Sequence, residues 1–251
     1  MKKIPEITLA FWIMKIAATT LGETAGDLLA QTMNLGYLES TLIFGGFFAV
    51  TLAAQMTVKR YHVWLYWMVI LSTSTAGTTM SDYMDRTLGL GYAVGSGILV
   101  TILIAVLAAW RYSTGSLSVA DVTTRKAEAF YWVAILFSNT LGTALGDFLA
   151  DDSGLGFGIV ALILASIIGV ITLLYFFTKI SRVALFWCAF VLTRPLGATG
   201  GDFLTKSHER GGLDLGTLNA SLVLLTILVI GIVVSTMRQR RDASVSPARA
   251  G

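Results

Sequence analysis

Four apolar runs in this chain end in an aspartate at equivalent places, and this repetition restricts the fold more than any other feature. Asp82 lies 55 residues after Asp27, Asp202 lies 55 residues after Asp147, and the second pair follows the first by 120 residues. A tryptophan stands fifteen residues before each aspartate. The sequence therefore predicts four copies of one structural unit, arranged as two pseudo-symmetric halves.

Each copy also carries two small residues four positions apart just before its acid. Residues at this spacing let helix backbones approach closely in lipid, where the hydrophobic effect does not drive association. The glycines among them are predicted helix-packing positions: Gly22, Gly26, Gly142, Gly146, Gly197 and Gly201. Close packing is by itself a sufficient role for these glycines, but it does not account for the acids.

The chain around the acids is too apolar for a soluble domain. Of its 251 residues 55% are hydrophobic and only 13% charged, with a mean hydropathy of +0.74, whereas soluble domains are about 25% charged. Apolar runs of about 20 residues, each long enough to cross a bilayer as a helix, occur at 7–29, 38–58, 63–85, 91–111, 128–150, 156–178, 183–204 and 215–237. These runs predict an all-α polytopic membrane protein with eight transmembrane helices, forming four parallel two-helix repeats.

The polar segment 113–125 separates the predicted halves, residues 1–120 and 121–241. The predicted hairpins span about 7–60, 63–112, 128–180 and 183–238, and 242–251 is predicted to be a disordered tail. Thirteen lysines and arginines fall on the side of the N terminus and three on the other side, which places both termini in the cytoplasm. No cleavable signal pattern precedes the first helix. The single Cys188 excludes a disulfide framework within the chain, and the net charge of +3 lies along one membrane face and indicates no nucleic-acid partner.

The acids are the candidate functional groups. An unpaired carboxylate within a bilayer costs about 2.5–3.5 kcal/mol even on insertion scales, so several in register indicate a use. The candidate metal ligands are Glu23, Asp27, Asp82, Asp147 and Asp202. The alternative is that the aspartates end their helices at the outer interface, in contact with water.

Two basic residues lie inside the same helices. Lys15 stands two turns before Glu23, and Arg194 occupies the position equivalent to Thr19. Both are too far along their own helices to neutralise the acids there, so we expect them to pair across the bundle and to act as charge-coupling groups. Pro195 predicts a kink or break in the seventh helix. Five acids against two bases favour a cation.

The ligand types narrow the choice of cation. Around the acids stand hydroxyls and the amide of Asn139, with no histidine and no repeated cysteine. Oxygen ligands suit hard ions such as manganese, magnesium, calcium, sodium or a proton. His62 and His208 are expected at the surface. Outside the membrane, three acids form either an acidic mouth or ordinary solvated loops: Asp85, Asp151 and Asp152.

The repeated L-G-x-x-x-G-D hairpins resemble a family of bacterial inner-membrane proteins described only as uncharacterised membrane-anchored proteins. The segment Glu23–Asp27 is also similar to the E-x-G-D motifs of manganese and calcium cation/proton exchangers, although the spacing here is one residue longer and glutamate occurs in one copy of four. The resemblances imply a bacterial inner membrane and, by chemical analogy, cation exchange.

We therefore predict a secondary transporter for a small hard cation, with a manganese-like divalent ion favoured, coupled to protons. The expected partners are the bilayer, the cation and the proton; no cofactor or catalytic residue is expected, and homo-oligomerisation stays open. The alternatives are a structural or sensor protein whose acids form internal ion pairs and an intramembrane aspartyl enzyme. The G-x-G-D signature of the latter is absent, because Thr199 stands where the first glycine of the motif would precede Gly201 and Asp202.

Overall fold

The structure is a computed structural model that describes residues 5–245. Its described part contains no β-strand and eight α-helices, one for each predicted apolar run. The helices are α1 (Leu9–Asp27), α2 (Tyr37–Thr57), α3 (Val63–Asp82), α4 (Tyr92–Thr114), α5 (Arg125–Asp147), α6 (Phe157–Phe177), α7 (Arg182–Thr205) and α8 (Thr217–Val245). The all-α fold is thus confirmed.

Six of these helices, α2 and α4 to α8, are long and apolar enough to cross a membrane. The protein is therefore a helical membrane protein. The other two, α1 and α3, carry many buried polar residues, among them Lys15 and Glu23 in α1 and Thr78 in α3. Neighbouring helices cover these polar groups, so the side chains that lower the hydropathy of α1 and α3 lie inside the bundle.

The odd-numbered helices form a closed inner ring in which α1 contacts α3, α3 contacts α5, α5 contacts α7 and α7 contacts α1. Gly22 and Gly26 of α1 lie against Ser74 and Thr78 of α3 respectively. Because these contacts advance in the same direction along both helices, α1 and α3 are parallel. The same progression relates Gly197 and Gly201 of α7 to α1.

The even-numbered helices surround this ring. Each packs on the inner helix of the following repeat: α2 on α3, α4 on α5, α6 on α7, and α8 back on α1. Their outer faces present large apolar side chains such as Leu42, Ile104 and Leu162. The packing of α8 on α1 completes this outer layer. Each inner helix is therefore covered by the outer helix of the preceding repeat.

Local signals set where the helices begin. A glycine with positive φ precedes each outer helix: Gly36, Gly91, Gly156 and Gly216 (φ 83°, 73°, 79° and 71°). Only glycine adopts this backbone conformation without a steric cost, which explains the repeated Leu-Gly pair. On the inner helices, the side chains of Thr8, Thr124 and Ser181 accept hydrogen bonds from the first turns of α1, α5 and α7.

The inner helices differ beyond their aspartates. One π-helical turn extends each of α1, α3 and α5, at Leu28–Thr32, Tyr83–Thr87 and Phe148–Asp152. In the fourth copy α7 runs on to Thr205, and a short 3-10 helix, His208–Arg210, occupies the polar insertion.

Two sequence expectations need correction. Helix α8 continues to Val245, so residues 242–245 of the predicted disordered tail are helical. The polar residues after 237 extend the helix. Residues 246–251 lie outside the described part of the chain, as do Lys2 and Lys3. Helix α7 is continuous through Pro195, so the break that the sequence allowed does not occur. The proline ring lies against Gly142 of α5, which lacks a side chain there, and the Thr199 hydroxyl donates to the Pro195 carbonyl at 2.8 Å.

Candidate functional site

Four layers of buried side chains cross the axis of the inner ring. In each inner helix the aspartate and the residues four, eight and twelve positions before it face the interior, because residues four apart share one helix face. The layers are Lys15, Ile70, Ile135 and Phe190; Thr19, Ser74, Asn139 and Arg194; Glu23, Thr78, Thr143 and Ala198; and Asp27, Asp82, Asp147 and Asp202. All sixteen are at most 3% exposed, so each layer lies in the interior of the ring.

An aromatic layer closes the end of the ring opposite to the aspartates. The Tyr66 and Tyr131 hydroxyls are hydrogen bonded at 2.7 Å, and Trp67 packs edge-on against Tyr66. Trp132 lies 5.6 Å from the Tyr66 ring and is 1% exposed. The repeated tryptophans thus belong to this packed end.

The six predicted packing glycines all lie against neighbouring inner helices. A Cβ atom added at Gly22 would stand 2.5 Å from Ser74 Cβ, and one at Gly197 would stand 2.5 Å from Thr19 Oγ1. Gly142 faces Arg194 in the same way, and Gly146 faces Ala198. These contacts hold the inner helices close enough for side chains to meet across the axis.

Arg194 fills the axis in its layer. Its Nε donates to the Asn139 carbonyl at 3.2 Å, Nη1 to the Thr19 carbonyl at 2.8 Å and Nη2 to the Ser74 carbonyl at 3.1 Å. The three acceptors are the residues at the equivalent position of the other three repeats. One guanidinium therefore joins all four inner helices and blocks the axis at this level.

Glu23 lies one layer nearer to the aspartates and is the acid that Arg194 pairs with. Its Oε2 is 3.4 Å from Arg194 Nη2 and accepts hydrogen bonds from Thr78 and Thr143 at 3.2 Å each. Arg194 also donates to both of these hydroxyls. The predicted pairing of Arg194 with an acid across the bundle is therefore present.

Lys15 differs from this expectation. Its Nζ donates to Asn139 Oδ1 at 3.4 Å and lies 4.2 Å from the centre of the Phe190 ring. In the described part of the chain no carboxylate lies within ion-pairing distance of it. The reason is axial separation, since the Arg194 layer stands between Lys15 and the acids.

Two of the three basic residues on the side opposite the N terminus, Arg86 and Lys206, hold the aspartates together. Arg86 lies 2.9 Å from Asp82 and 3.0 Å from Asp147, and so joins α3 to α5. Lys206 lies 2.9 Å from Asp27 and 3.1 Å from Asp202, and so joins α7 to α1. Burial by itself lowers the pKa of the Lys206 ammonium, but the carboxylates of Asp202 and Asp27 more than offset this and raise it well above its usual range.

A sequence signal for these bases exists at the fourth residue after each aspartate. This position holds Gln31, Arg86, Asp151 and Lys206 in the four copies. Residues four apart on a helix can form an ion pair, so Asp82 with Arg86 and Asp202 with Lys206 were recognisable. The second copy in each half carries the base, which makes the two bridges pseudo-symmetric.

Three of the five candidate ligands converge more closely than the others. One carboxylate oxygen from each of Glu23, Asp27 and Asp82 lies within 4.8 Å of the other two. Oxygens that ligate one Ca²⁺ or Mg²⁺ at about 2.1–2.5 Å lie at most about 5 Å apart, so these three residues, the carboxylate cluster, could hold a hard cation. Asp147 and Asp202 connect to it through Arg86 and Lys206.

The remaining predicted residues lie away from this cluster. Asp85 lies in the π-helical turn after α3 and is buried against Gly95 of α4, where the Ser81 hydroxyl donates to its carboxylate at 3.4 Å. It is therefore no part of an open mouth. Asp151 and Asp152 are exposed, as are His62 and His208. Cys188 is exposed on α7.

Together these features define a membrane protein built from four equivalent helical hairpins around one polar axis. A family model described as Repeat of Unknown Function (DUF347) matches residues 10–61, 65–116, 130–181 and 185–241. The chain belongs to this family, and each match covers one inner helix with the outer helix that follows. Searches of curated proteins and of solved structures found no match.

Proposed function

We propose that this protein is a secondary transporter that exchanges a small hard cation, with a manganese-like divalent ion favoured, for protons. The observation that carries the proposal is the carboxylate cluster of Glu23, Asp27 and Asp82, whose buried oxygens come within 4.8 Å of one another on the axis. Three oxygen ligands of this kind suit a hard ion. No catalytic step is assigned to them.

Proton coupling follows from the chemistry of the same groups. The five acids on the axis are contacted by three bases, Arg86, Arg194 and Lys206, which leaves two negative charges without a base. These two charges can be neutralised by protons or by a bound divalent cation, so protons and cation compete. An intramembrane acid is costly unless it is paired or used. Exchange of one neutralising species for the other would keep the axis free of uncompensated charge on both legs of a transport cycle.

Transport into proteoliposomes tests this function. We expect one hard cation of a panel to move protons in the opposite direction, and Asp27→Asn and Asp82→Asn each to abolish the exchange. Both variants leave the neighbouring base a carboxylate, because Lys206 keeps Asp202 and Arg86 keeps Asp147. Asp152→Asn, an exposed acid at the same end, is the matched control and should transport normally.

Either of two results would contradict the proposal. Wild-type exchange that persists in both variants would remove the cluster from the pathway, and a wild-type protein that moves no cation of the panel would remove the function. The second candidate is then a structural or sensor protein. It is favoured by the ion pairs of the cluster, since every cluster acid has a base within 3.4 Å. In that case the same variants should lower only the thermal stability.

The membrane arrangement belongs to the same proposal. All eight helices would cross a bacterial inner membrane, with the aromatic layer toward the cytoplasm and the aspartates toward the outside. The repeated L-G-x-x-x-G-D hairpins are the sequence feature that supports membership in a bacterial group. Described basic residues such as Lys59, Arg125 and Lys179 support the orientation.

Cysteine labelling checks the orientation. In a Cys188→Ser background, Ser153→Cys at the aspartate end should react with a membrane-impermeant maleimide in intact cells. Thr123→Cys, which lies before α5 at the other end, should react only after the membrane is permeabilised. The reverse pattern would invert the assignment.

A further inference from the structure

Each acid of the carboxylate cluster is contacted by a different base. Arg194 lies 3.4 Å from Glu23, Lys206 2.9 Å from Asp27, and Arg86 2.9 Å from Asp82. Three negative charges therefore face three positive charges in the structure. A cation that enters the cluster finds its ligands already engaged, so a base has to leave before the ion gains its full attraction.

Two of the three bases have another carboxylate to receive them. Lys206 also contacts Asp202 at 3.1 Å, and Arg86 also contacts Asp147 at 3.0 Å. Neither of these second acids belongs to the cluster. Each base can therefore give up its cluster acid and still keep an ion pair, since the spare acid is within reach without any movement of the backbone.

The three bases also differ in freedom to move. Arg194 is fully buried and donates to carbonyl groups of three helices, whereas the side chains of Lys206 and Arg86 are 14% and 32% exposed. One oxygen of the cluster, Asp82 Oδ1, and one oxygen of a spare acid, Asp202 Oδ1, are buried and accept no hydrogen bond. Their bases lie 2.9 Å and 3.1 Å away and hold them by charge alone. Arg194 is thus a fixed counter-charge, and the other two bases are displaceable.

We propose that Lys206 and Arg86 are tethered cations that occupy the carboxylate cluster when it is empty, and that a bound divalent cation displaces them onto Asp202 and Asp147. A divalent ion replaces the two positive charges that leave, while Arg194 stays on Glu23. The five acids then have two roles: Glu23, Asp27 and Asp82 are ligands, and Asp147 and Asp202 receive the displaced bases. This inference rests on the proposed cation site and names two residues that set its affinity.

A double-mutant cycle separates this displacement from simple charge effects. Mn²⁺ binding to the purified full-length protein is measured from the free-ion signal in electron paramagnetic resonance. Lys206→Met should tighten binding about tenfold and Asp202→Asn should weaken it about tenfold, because the lysine then competes for Asp27 alone. In the Lys206→Met background the Asp202→Asn change should have less than about a twofold effect, since no base needs to be received.

The outcomes are distinguishable. An equal effect of Asp202→Asn in both backgrounds would overturn the displacement and leave the cation site intact, because Asp202 would then act as a plain negative charge or as a ligand. Absence of Mn²⁺ binding in wild type and in all variants would overturn the proposed function together with this inference. The Arg86→Met and Asp147→Asn cycle tests the pseudo-symmetric bridge if an Asp202 variant does not fold, and Asp152→Asn should bind as wild type does.

Discussion

Replacing Arg194 by methionine is expected to lower the free energy of unfolding by about 3–5 kcal/mol, the usual loss when one partner of a buried ion pair is removed. The substitution leaves Glu23 in the interior without its base and removes the donors to the Thr19, Ser74 and Asn139 carbonyls. It thereby unlinks all four inner helices in one layer. Denaturant unfolding of the detergent-solubilised protein measures the loss.

A second variant shows whether the unpaired acid is the cause. The Arg194→Met, Glu23→Gln double variant lacks both charges of the buried ion pair, so no unpaired carboxylate remains. Part of the lost free energy of unfolding should therefore return. A double variant no more stable than Arg194→Met would mean that the contacts to the backbone carbonyls, and not the ion pair, account for the loss. A single variant as stable as the wild type would contradict a central role of Arg194 in the fold.

The second large effect is expected at Gly197, where α7 meets α1. A methyl group added there would stand 2.5 Å from Thr19 Oγ1 and 2.9 Å from the Thr19 backbone carbon. The backbone atom cannot rotate away, so the helices have to separate, and overpacking of this kind costs about 1–3 kcal/mol. Gly197→Ala should therefore destabilise the protein and loosen the inner ring, which thermal unfolding measures.

Gly200→Ala on the same helix is the matched control. No heavy atom lies within 4 Å of the Cβ position at Gly200, and alanine is the better helix former by about 0.5–1 kcal/mol. We expect unchanged or slightly raised stability. Equal destabilisation by Gly197→Ala and Gly200→Ala would indicate that glycine flexibility in α7, and not the contact with α1, is what the fold requires.

The ring also explains why the four copies differ in sequence. The Arg194 side chain fills the axis at its level, and the equivalent positions of the other three repeats hold shorter side chains, Thr19, Ser74 and Asn139. Glu23 is likewise accompanied by the smaller Thr78, Thr143 and Ala198. The aspartate layer keeps all four acids because Arg86 and Lys206 stand between them. Divergence at the Arg194 and Glu23 layers therefore follows from packing around a shared axis.

The repeat, the helices and the buried acids could be predicted from the sequence because they depend on local properties. Apolar runs of about 20 residues mark the helices, and a period of 55 residues places Asp27 and Asp82 at the same point of two equivalent helices. The Leu-Gly pairs mark the starts of the outer helices for an equally local reason, the positive φ of glycine. None of these features depends on which helices are neighbours in the tertiary structure.

The tertiary structure decided which charges meet. The partners of Arg194 come from three other helices, and Lys206 reaches Asp27 across 179 residues of chain. Lys15 and Arg194 are alike as buried bases in the sequence, yet only Arg194 lies in reach of an acid, because their layers stand at different depths along the axis. Ion pairing depends on distances of a few ångströms between side chains of separate helices, and such distances follow only from how the ring closes.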